Sequence, residues 1–133
     1  SGATASNVGN LSVFRYGGAG QSSDTHGYTS GGDQYPANSS LRNVNFIDKF
    51  PFASDDNATD VGDLTWARGL TPTGTSSRES GYTAGGRGSP SSTGGSSLSA
   101  KNIIDKFSFT SDGNATDVGD LFVTIYEAGG QQV

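Results

Sequence analysis

Residues 45–64 (NFIDKFPFASDDNATDVGDL) and residues 102–121 (NIIDKFSFTSDGNATDVGDL) are two copies of one motif. Sixteen of the 20 positions are identical at a constant offset of 57 residues. A match of this length indicates an internal repeat, and repeats with a period of about 20 to 50 residues are typical of folds in which similar units stack. The motif therefore predicts a chain that is built from repeated structural units.

A second block extends this repeat toward the N-terminus. Residues 26–32 (HGYTSGG) correspond to residues 80–86 (SGYTAGG) at an offset of 54. The two ends of the chain also match, because residues 1–23 align without gaps on residues 111–133 with nine identities.

We interpret the chain as a single domain that contains two full repeats and part of a third. Its predicted parts are repeat 1 (about 8–60), repeat 2 (about 61–117) and a partial third repeat (118–133) that duplicates residues 8–23.

Each repeat contains strand patterns. Residues 44–52 alternate between two faces, with the phenylalanines on one face and Ile47 and Lys49 on the other. This period of two predicts a strand and argues against a helix. A second strand is predicted at residues 61–68 and at its counterparts 8–15 and 118–125. Asx-rich turns separate the strands, and no window has a helical pattern, so the sequence predicts an all-β fold.

Asp48 and Asp105 occupy the same position in the two motifs, on the face that carries the phenylalanines. An unpaired carboxylate is costly to bury. We therefore expect both carboxylates to bond backbone amides or a neighbouring arginine.

The overall composition limits the classes of partner. Only 31% of the residues are hydrophobic and 21 are glycine, so a chain of this size buries little apolar surface alone and copies of itself are expected partners. The net charge of −5 and the lack of a basic stripe argue against nucleic acid. No apolar run approaches the roughly 20 residues that span a bilayer, so no membrane span is predicted. With no cysteine, disulfides and thiolate sites are excluded.

The order of these blocks resembles a kelch repeat, which forms one blade of a β-propeller. The resemblance rests on Tyr28-Thr29-Ser30-Gly31-Gly32 and its counterpart at residues 82–86, each followed by the motif strand and a polar turn. The kelch tryptophan after the polar turn is absent, and Trp66 lies elsewhere. The resemblance implies two propeller blades per chain plus the duplicated end segment. Other chains would then complete a ring, such as six blades from three chains, or a filament.

The residues themselves are similar to a narrower group. Residues 20–32 (GQSSDTHGYTSGG) and 47–68 (IDKFPFASDDNATDVGDLTWAR) resemble kelch-like arrays in virion structural and tail-fibre proteins of aquatic bacteriophages, cyanophages in particular. This resemblance implies a structural role in a virion or at an extracellular surface, as a capsid decoration, tail or fibre, or surface filament subunit. The expected partners are copies of the chain, joined through the repeat ends, and other virion or surface proteins.

An acidic loop in each motif is the candidate metal site. Its oxygen donors suit Ca²⁺, which binds about six to eight oxygens. The alternative is that these residues form turns and cap strand ends. Residues 2–10 (GATASNVGN) favour the alternative, because this N-terminal counterpart of the loop contains no carboxylate although the rest of the segment is retained. The candidate ligands are Asp55, Asn57, Asp60 and Asp63, together with Asp112, Asn114, Asp117 and Asp120.

Four aromatic residues are candidates for stacking on sugars, namely Tyr28, Tyr82, Trp66 and Tyr35. The alternative is that they pack between neighbouring repeats. If they bind glycans, the chain is a carbohydrate-binding, lectin-like propeller assembled from two-bladed chains. That function is the second prediction beside the structural one.

No catalytic residue is predicted. The single histidine, His26, has Ser80 as its counterpart in the second repeat. No recognised motif places a base that could activate a serine. We therefore predict that the chain is not an enzyme and that it has no cofactor apart from the calcium considered above.

Overall fold

The computed structural model describes residues 2, 4–34, 42–70, 72–89, 98–125, 127 and 129–130. Within these residues the chain is all-β, as the sequence predicted, and has no helix. Six strands lie in the first half: β1 (Ala19–Ser22), β2 (His26–Ser30), β3 (Asp33–Gln34), β4 (Arg42–Asn43), β5 (Phe46–Pro51) and β6 (Thr59–Asp63). Six follow in the second half: β7 (Ala67–Gly69), β8 (Thr73–Ser76), β9 (Ser80–Ala84), β10 (Arg87–Ser89), β11 (Ser99–Ser108) and β12 (Thr116–Ile125).

Each repeat contributes a four-stranded antiparallel sheet. The first sheet has the order β1-β2-β5-β6, and the second has the equivalent order β8-β9-β11-β12. The registers agree, because Tyr28 pairs with Lys49 in the first sheet and Tyr82 with Lys106 in the second. Each sheet also has a register shift of the bulge type directly before its motif aspartate. The repeat in the sequence is therefore also a repeat of strand order and register.

A smaller sheet lies beside each large one. In the first repeat β3 pairs with β4, and Tyr16 forms a bridge to Asp33. In the second repeat β10 pairs with both β7 and the start of β11. Each small sheet therefore also contacts the chain segment directly before the first strand of its large sheet.

The strand that we predicted at residues 61–68 is two strands. Residue 63 ends β6 in the first sheet, and β7 begins at Ala67 beside the second sheet. The chain crosses from one repeat to the next between them, so the boundary predicted between residues 60 and 61 falls within β6.

The two counterparts of this segment also differ from it. Residues 118–125 continue β12 without a break. Residues 8–15 are not a strand, which corrects the prediction. Their backbone N–H groups donate instead to side chains of the first sheet, that of Asn10 to Asn57 and that of Ser12 to Asp48.

The paired glycines of the second block let the backbone turn from a large sheet toward a small one. Gly31 and Gly85 have φ values of 65° and 66°, a region that other residues rarely adopt. A Cβ atom on Gly31 would also lie 2.6 Å from the carbonyl oxygen of Arg68. The first glycine of the pair is thus required both for its dihedral angle and for a close approach of the next repeat.

The apolar core lies between the two large sheets, where β1 packs over β8 and β9. It is formed by seven side chains from both repeats: Tyr28, Ile47, Leu64, Phe107 and Ala115, with Val61 and Phe109 partly buried at its edge. The largest fully buried side chains outside this core in the described residues are polar, such as Arg68, Asp48 and Asp105. Contact between the repeats therefore provides most of the apolar burial in the described part of the chain.

Candidate functional site

We call the contact between the two large sheets the junction, and Tyr28 lies at its centre. The side chain of Tyr28 is 3% exposed. Its ring stacks on Phe109 with centroids 4.7 Å apart and meets Phe107 in a tilted arrangement at 5.6 Å. Tyr28, one of the candidates for sugar stacking, is therefore covered by the neighbouring repeat.

A polar network aligns the two sheets beside this cluster. The Gln21 side-chain amide donates to the carbonyl oxygen of Tyr82 at 3.0 Å and to the hydroxyl of Thr83 at 2.9 Å. The hydroxyls of Ser30 and Thr83 are 2.7 Å apart. At the rim, the backbone N–H of Ser22 donates to the hydroxyl of Ser76 at 3.0 Å. Because these groups are mostly buried, a shift between the sheets would leave them unsatisfied.

The segment that crosses the junction is fixed to a buried carboxylate. Asp105 accepts hydrogen bonds from the backbone N–H and the hydroxyl of Thr65, at 3.0 and 2.6 Å. The Arg68 guanidinium pairs with the same carboxylate at 2.5 Å, and neither side chain has exposed surface. Arg68 also donates to the carbonyl oxygens of Gly85 and Ile103. Burial lowers the pKa of Arg68, and Asp105 opposes that shift, so the guanidinium stays protonated at neutral pH.

The N-terminal segment repeats this arrangement on the first sheet. Asp48 accepts from the backbone N–H and the hydroxyl of Ser12, at 2.9 and 2.6 Å. The Arg15 guanidinium lies 3.1 Å from the same carboxylate. The prediction that Asp48 and Asp105 bond backbone amides or a neighbouring arginine is therefore confirmed, and each carboxylate has both kinds of partner.

The asparagines of the acidic loops accept hydrogen bonds from equivalent backbone positions. The side-chain oxygen of Asn57 accepts from the backbone N–H of Asn10 at 2.9 Å. In the same way, Asn114 accepts from the backbone N–H of Asp63 at 3.0 Å. The aspartates Asp60 and Asp117 instead accept from backbone N–H groups two residues later, as turn-forming residues do.

The remaining loop carboxylates have varied surroundings. Asp112 forms an exposed ion pair with Lys49 of the first repeat at 2.8 Å, and that hydrogen bond raises the pKa of Lys49. Partial burial, with a smaller effect from Asp60, raises the pKa of Asp63. Asp55 and Asp120 are exposed. In the part of the chain that the structure describes, no three His, Cys, Asp or Glu residues are arranged to hold a metal ion. Calcium binding at these loops stays a prediction.

The other sugar-stacking candidates do not share one environment. Trp66 is half-buried and has the Lys101 ammonium 3.9 Å from its ring centroid. Tyr82 is also half-buried, with the Lys106 ammonium 6.0 Å from its ring. Tyr35 lies outside the described residues. Lysines in these positions are typical of cation–π contacts, and sugar stacking stays a prediction.

His26 has a local contact. Its Nδ1 atom is 2.9 Å from the hydroxyl of the adjacent Thr25. A contact between neighbouring residues of one turn orients the imidazole ring but assigns no reacting group to it. The prediction that the chain is not an enzyme is left as a prediction.

The first large sheet has a second, uncovered face that was missed in the sequence. We call it the head face, and it presents the equivalents of the residues that receive Tyr28 at the junction. Phe52, the counterpart of Phe109, is 56% exposed. A pocket of about 200 Å³ opens on this face. Its lining includes Val8, Leu11, Phe50 and Ala58.

The second large sheet has a corresponding outer face, which is half-buried in the described part of the chain and which we call the tail face. Its residues Tyr82, Ile104 and Lys106 are the counterparts of Tyr28, Ile47 and Lys49 in the first repeat. Tyr82 and Ile104 are only half-buried, whereas Tyr28 and Ile47 are buried. The sequence offset between the repeats could have revealed both faces, because it pairs the residues of the junction with counterparts at one end of the chain or the other.

No protein-family model matches this chain, and no curated protein is similar enough to it to count as a match. Among the described residues, no helix has the length and apolar character needed to cross a membrane. The function proposed below therefore rests on the geometry of the chain and on the resemblance of its repeat.

Proposed function

We propose that the chain is a structural subunit of a virion or extracellular assembly and that it associates with copies of itself through its sheet repeats. The observation that carries this proposal is the pair of outer faces, the head face and the tail face, whose apolar residues are less buried than their counterparts at the junction. The head and tail faces carry apolar side chains whose counterparts at the junction are buried. Association of two copies would bury these side chains as well.

The size of the core supports the same proposal. Two repeats form a single junction, whereas a closed ring or a filament gives every repeat two neighbours. End-to-end contact between unlike faces produces a ring when the rotation closes and a filament when it does not. The resemblance to phage virion and tail-fibre arrays supports the location, because such proteins act as repeated building units.

Native mass spectrometry and negative-stain microscopy test this function directly. We expect masses that are multiples of the 13.6 kDa chain and increase with protein concentration, or visible rings or filaments. A species that stays at the mass of one chain over the whole concentration range would overturn the proposal.

Carbohydrate binding is retained as the second candidate. Of its four aromatic residues, Tyr28 is covered by the second repeat, so Tyr82 and Trp66 are the described candidates that remain half-exposed. A glycan array separates the two functions. Specific binding that is lost in the Trp66→Ala variant supports the lectin, and uniform absence of binding supports the structural subunit.

A further inference from the structure

The seven-residue core of the junction occurs a second time, divided between the two ends of the chain. Tyr28 and Ile47 have Tyr82 and Ile104 as counterparts on the tail face. Five residues have identical counterparts on the head face: Val61, Leu64, Phe107, Phe109 and Ala115 correspond to Val8, Leu11, Phe50, Phe52 and Ala58. Each half of the core is therefore present, and the two halves lie at opposite ends.

The pocket on the head face is the place that a tyrosine would occupy. At the junction, Tyr28 packs among Phe107, Ala115 and Leu64. The pocket is lined by their counterparts Phe50, Ala58 and Leu11. In the continued pattern, the residue that fills it is Tyr82 of another copy.

The charges on the two faces are complementary in the same way. At the junction, Lys49 of the first repeat pairs with Asp112 of the second at 2.8 Å. The counterpart of Lys49 on the tail face is Lys106, and the counterpart of Asp112 on the head face is Asp55. Both are exposed in the chain, so each can meet the other across an end-to-end contact.

The duplicated end segment limits how such a contact forms. Residues 8–15 lie on the head face, and residues 118–125 pair with β11 at the tail face. In an end-to-end contact both would occupy the single place that residues 61–68 fill at the junction. One of the two copies must therefore leave.

The hydrogen bonds decide which copy stays. Residues 8–15 supply Ser12 and Arg15 to the buried Asp48. At the equivalent positions the C-terminal copy has Phe122 and Ile125, which offer neither a hydroxyl nor a charge. Replacing the N-terminal copy would leave Asp48 buried without its cation. The N-terminal copy therefore stays, and residues 118–125 separate from β11.

We infer that a second copy of this chain docks on the first by inserting Tyr82 of its tail face into the head-face pocket formed by Val8, Leu11, Phe50 and Ala58, while residues 118–125 of the tail are displaced. This inference rests on the proposed function and specifies the contact through which it acts. The contact joins unlike faces, so every open assembly keeps one free head and one free tail until a ring closes.

Two capping variants test the contact in the full-length chain. Tyr82→Arg blocks the tail face and Phe52→Arg blocks the head face; Tyr82 is half-buried and Phe52 is exposed. We expect each variant alone to associate at least about tenfold more weakly than the parent chain, as loss of a buried aromatic contact does. In a mixture, the Tyr82→Arg chain keeps an intact head face and the Phe52→Arg chain keeps an intact tail face. The two variants together therefore form 1:1 dimers and nothing larger. Phe122→Arg, on the displaced strand, is the matched control and leaves association unchanged.

A charge exchange repeats the test without touching an aromatic residue. Lys106→Glu and Asp55→Lys each place like charges at the contact and weaken association by about threefold to fivefold. A 1:1 mixture restores the parent strength, since each altered face then meets an opposite charge. Hydrogen exchange measured by mass spectrometry reports which segment moves. In the associated state, amides of residues 118–125 exchange faster and those of residues 8–15 stay protected.

The results separate this inference from the proposed function. If the parent chain stays monomeric, the proposed function fails. If it associates while the capping variants still form large species, the contact inferred here is wrong and the proposed function stands. Protection of residues 118–125 together with exposure of residues 8–15 would reverse the assignment of the displaced segment.

Discussion

Asp105 is a carboxylate without exposed surface, and the guanidinium of Arg68 is its cationic partner. The same guanidinium donates to three carbonyl oxygens of the second repeat, those of Thr83, Gly85 and Ile103. A buried ion pair contributes little net stability relative to apolar residues, but removing one partner leaves a charge uncompensated. At the scale of single residues, the fold therefore depends on keeping these pairs complete.

We predict that Arg68→Met lowers the free energy of unfolding by about 3 to 5 kcal/mol, because Asp105 stays buried without its cation. Urea unfolding at neutral pH measures the change. Lys49→Met is the matched control, since it removes the exposed pair with Asp112 and is expected to cost about 0 to 1 kcal/mol. Similar losses in the two variants would show that the buried pair has no special role.

The sequence predicted that Asp48 and Asp105 would be paired, but it did not identify their arginines. The alternation of residues 44–52 places Asp48 among apolar side chains, and burial of a carboxylate then requires a partner. Arg68 precedes Asp105 by 37 residues, on a segment that the pattern assigned to a strand of the preceding sheet. Only the course of the chain between the sheets brings the two together.

At the scale of elements, the two end segments have related sequences and different environments. Residues 8–15 lie without regular secondary structure against the first sheet, held by Asp48 and Asn57. Residues 118–125 belong to an edge strand whose Phe122 side chain is fully exposed. The difference follows from two positions, Ser12 and Arg15 in one copy and Phe122 and Ile125 in the other.

Exchanging these residues tests that explanation. We predict that the double variant Ser12→Phe, Arg15→Ile loses about 3 kcal/mol or more of unfolding free energy, because it removes the hydroxyl and the cation from Asp48. It should also release residues 8–15, which limited proteolysis detects. The reverse change, Phe122→Ser with Ile125→Arg, is the control and alters stability by less than about 0.5 to 1 kcal/mol, the range of surface substitutions. Equal stability of both double variants would contradict this account.

The element that sequence reasoning described least well is the segment at residues 61–68. Its apolar residues suggested one strand, and the structure divides it between two repeats at Leu64–Trp66. Local pattern cannot show this division, because an apolar residue such as Leu64 is expected to be buried whether it ends the strand of the first sheet or begins the segment that leads to the second. The break is set by Asp105, which accepts hydrogen bonds from Thr65 and so draws the chain out of the first sheet.

At the scale of the whole molecule, the sequence established that similar β units recur, but not which of their faces meet. The alternation put Ile47 and Phe50 on opposite faces of β5, and a two-layer protein would bury only one of them. In a stack of sheets both faces are interfaces. Ile47 is buried at the junction, and Phe50 lines the head-face pocket. Which faces meet depends on the register of one repeat against the next, and the sequence of a single repeat does not specify that register.

A chain with a third repeat tests whether stacking is the source of stability. Residue 117 is followed by Val118 just as residue 60 is followed by Val61, so a second copy of residues 61–117 can be inserted after Asp117 without altering the motif. We predict a single urea transition with a higher midpoint, because three repeats share two junctions where two repeats share one. The m-value should increase by about half with the added buried surface. Both chains carry Phe52→Arg, which prevents end-to-end association from contributing to the comparison. Tyr82→Arg in the three-repeat chain disrupts the new junction and should return the midpoint toward that of two repeats. Two separate transitions, or an unchanged midpoint, would mean that each repeat is stable by itself and that the free faces gain no stability from a neighbouring repeat.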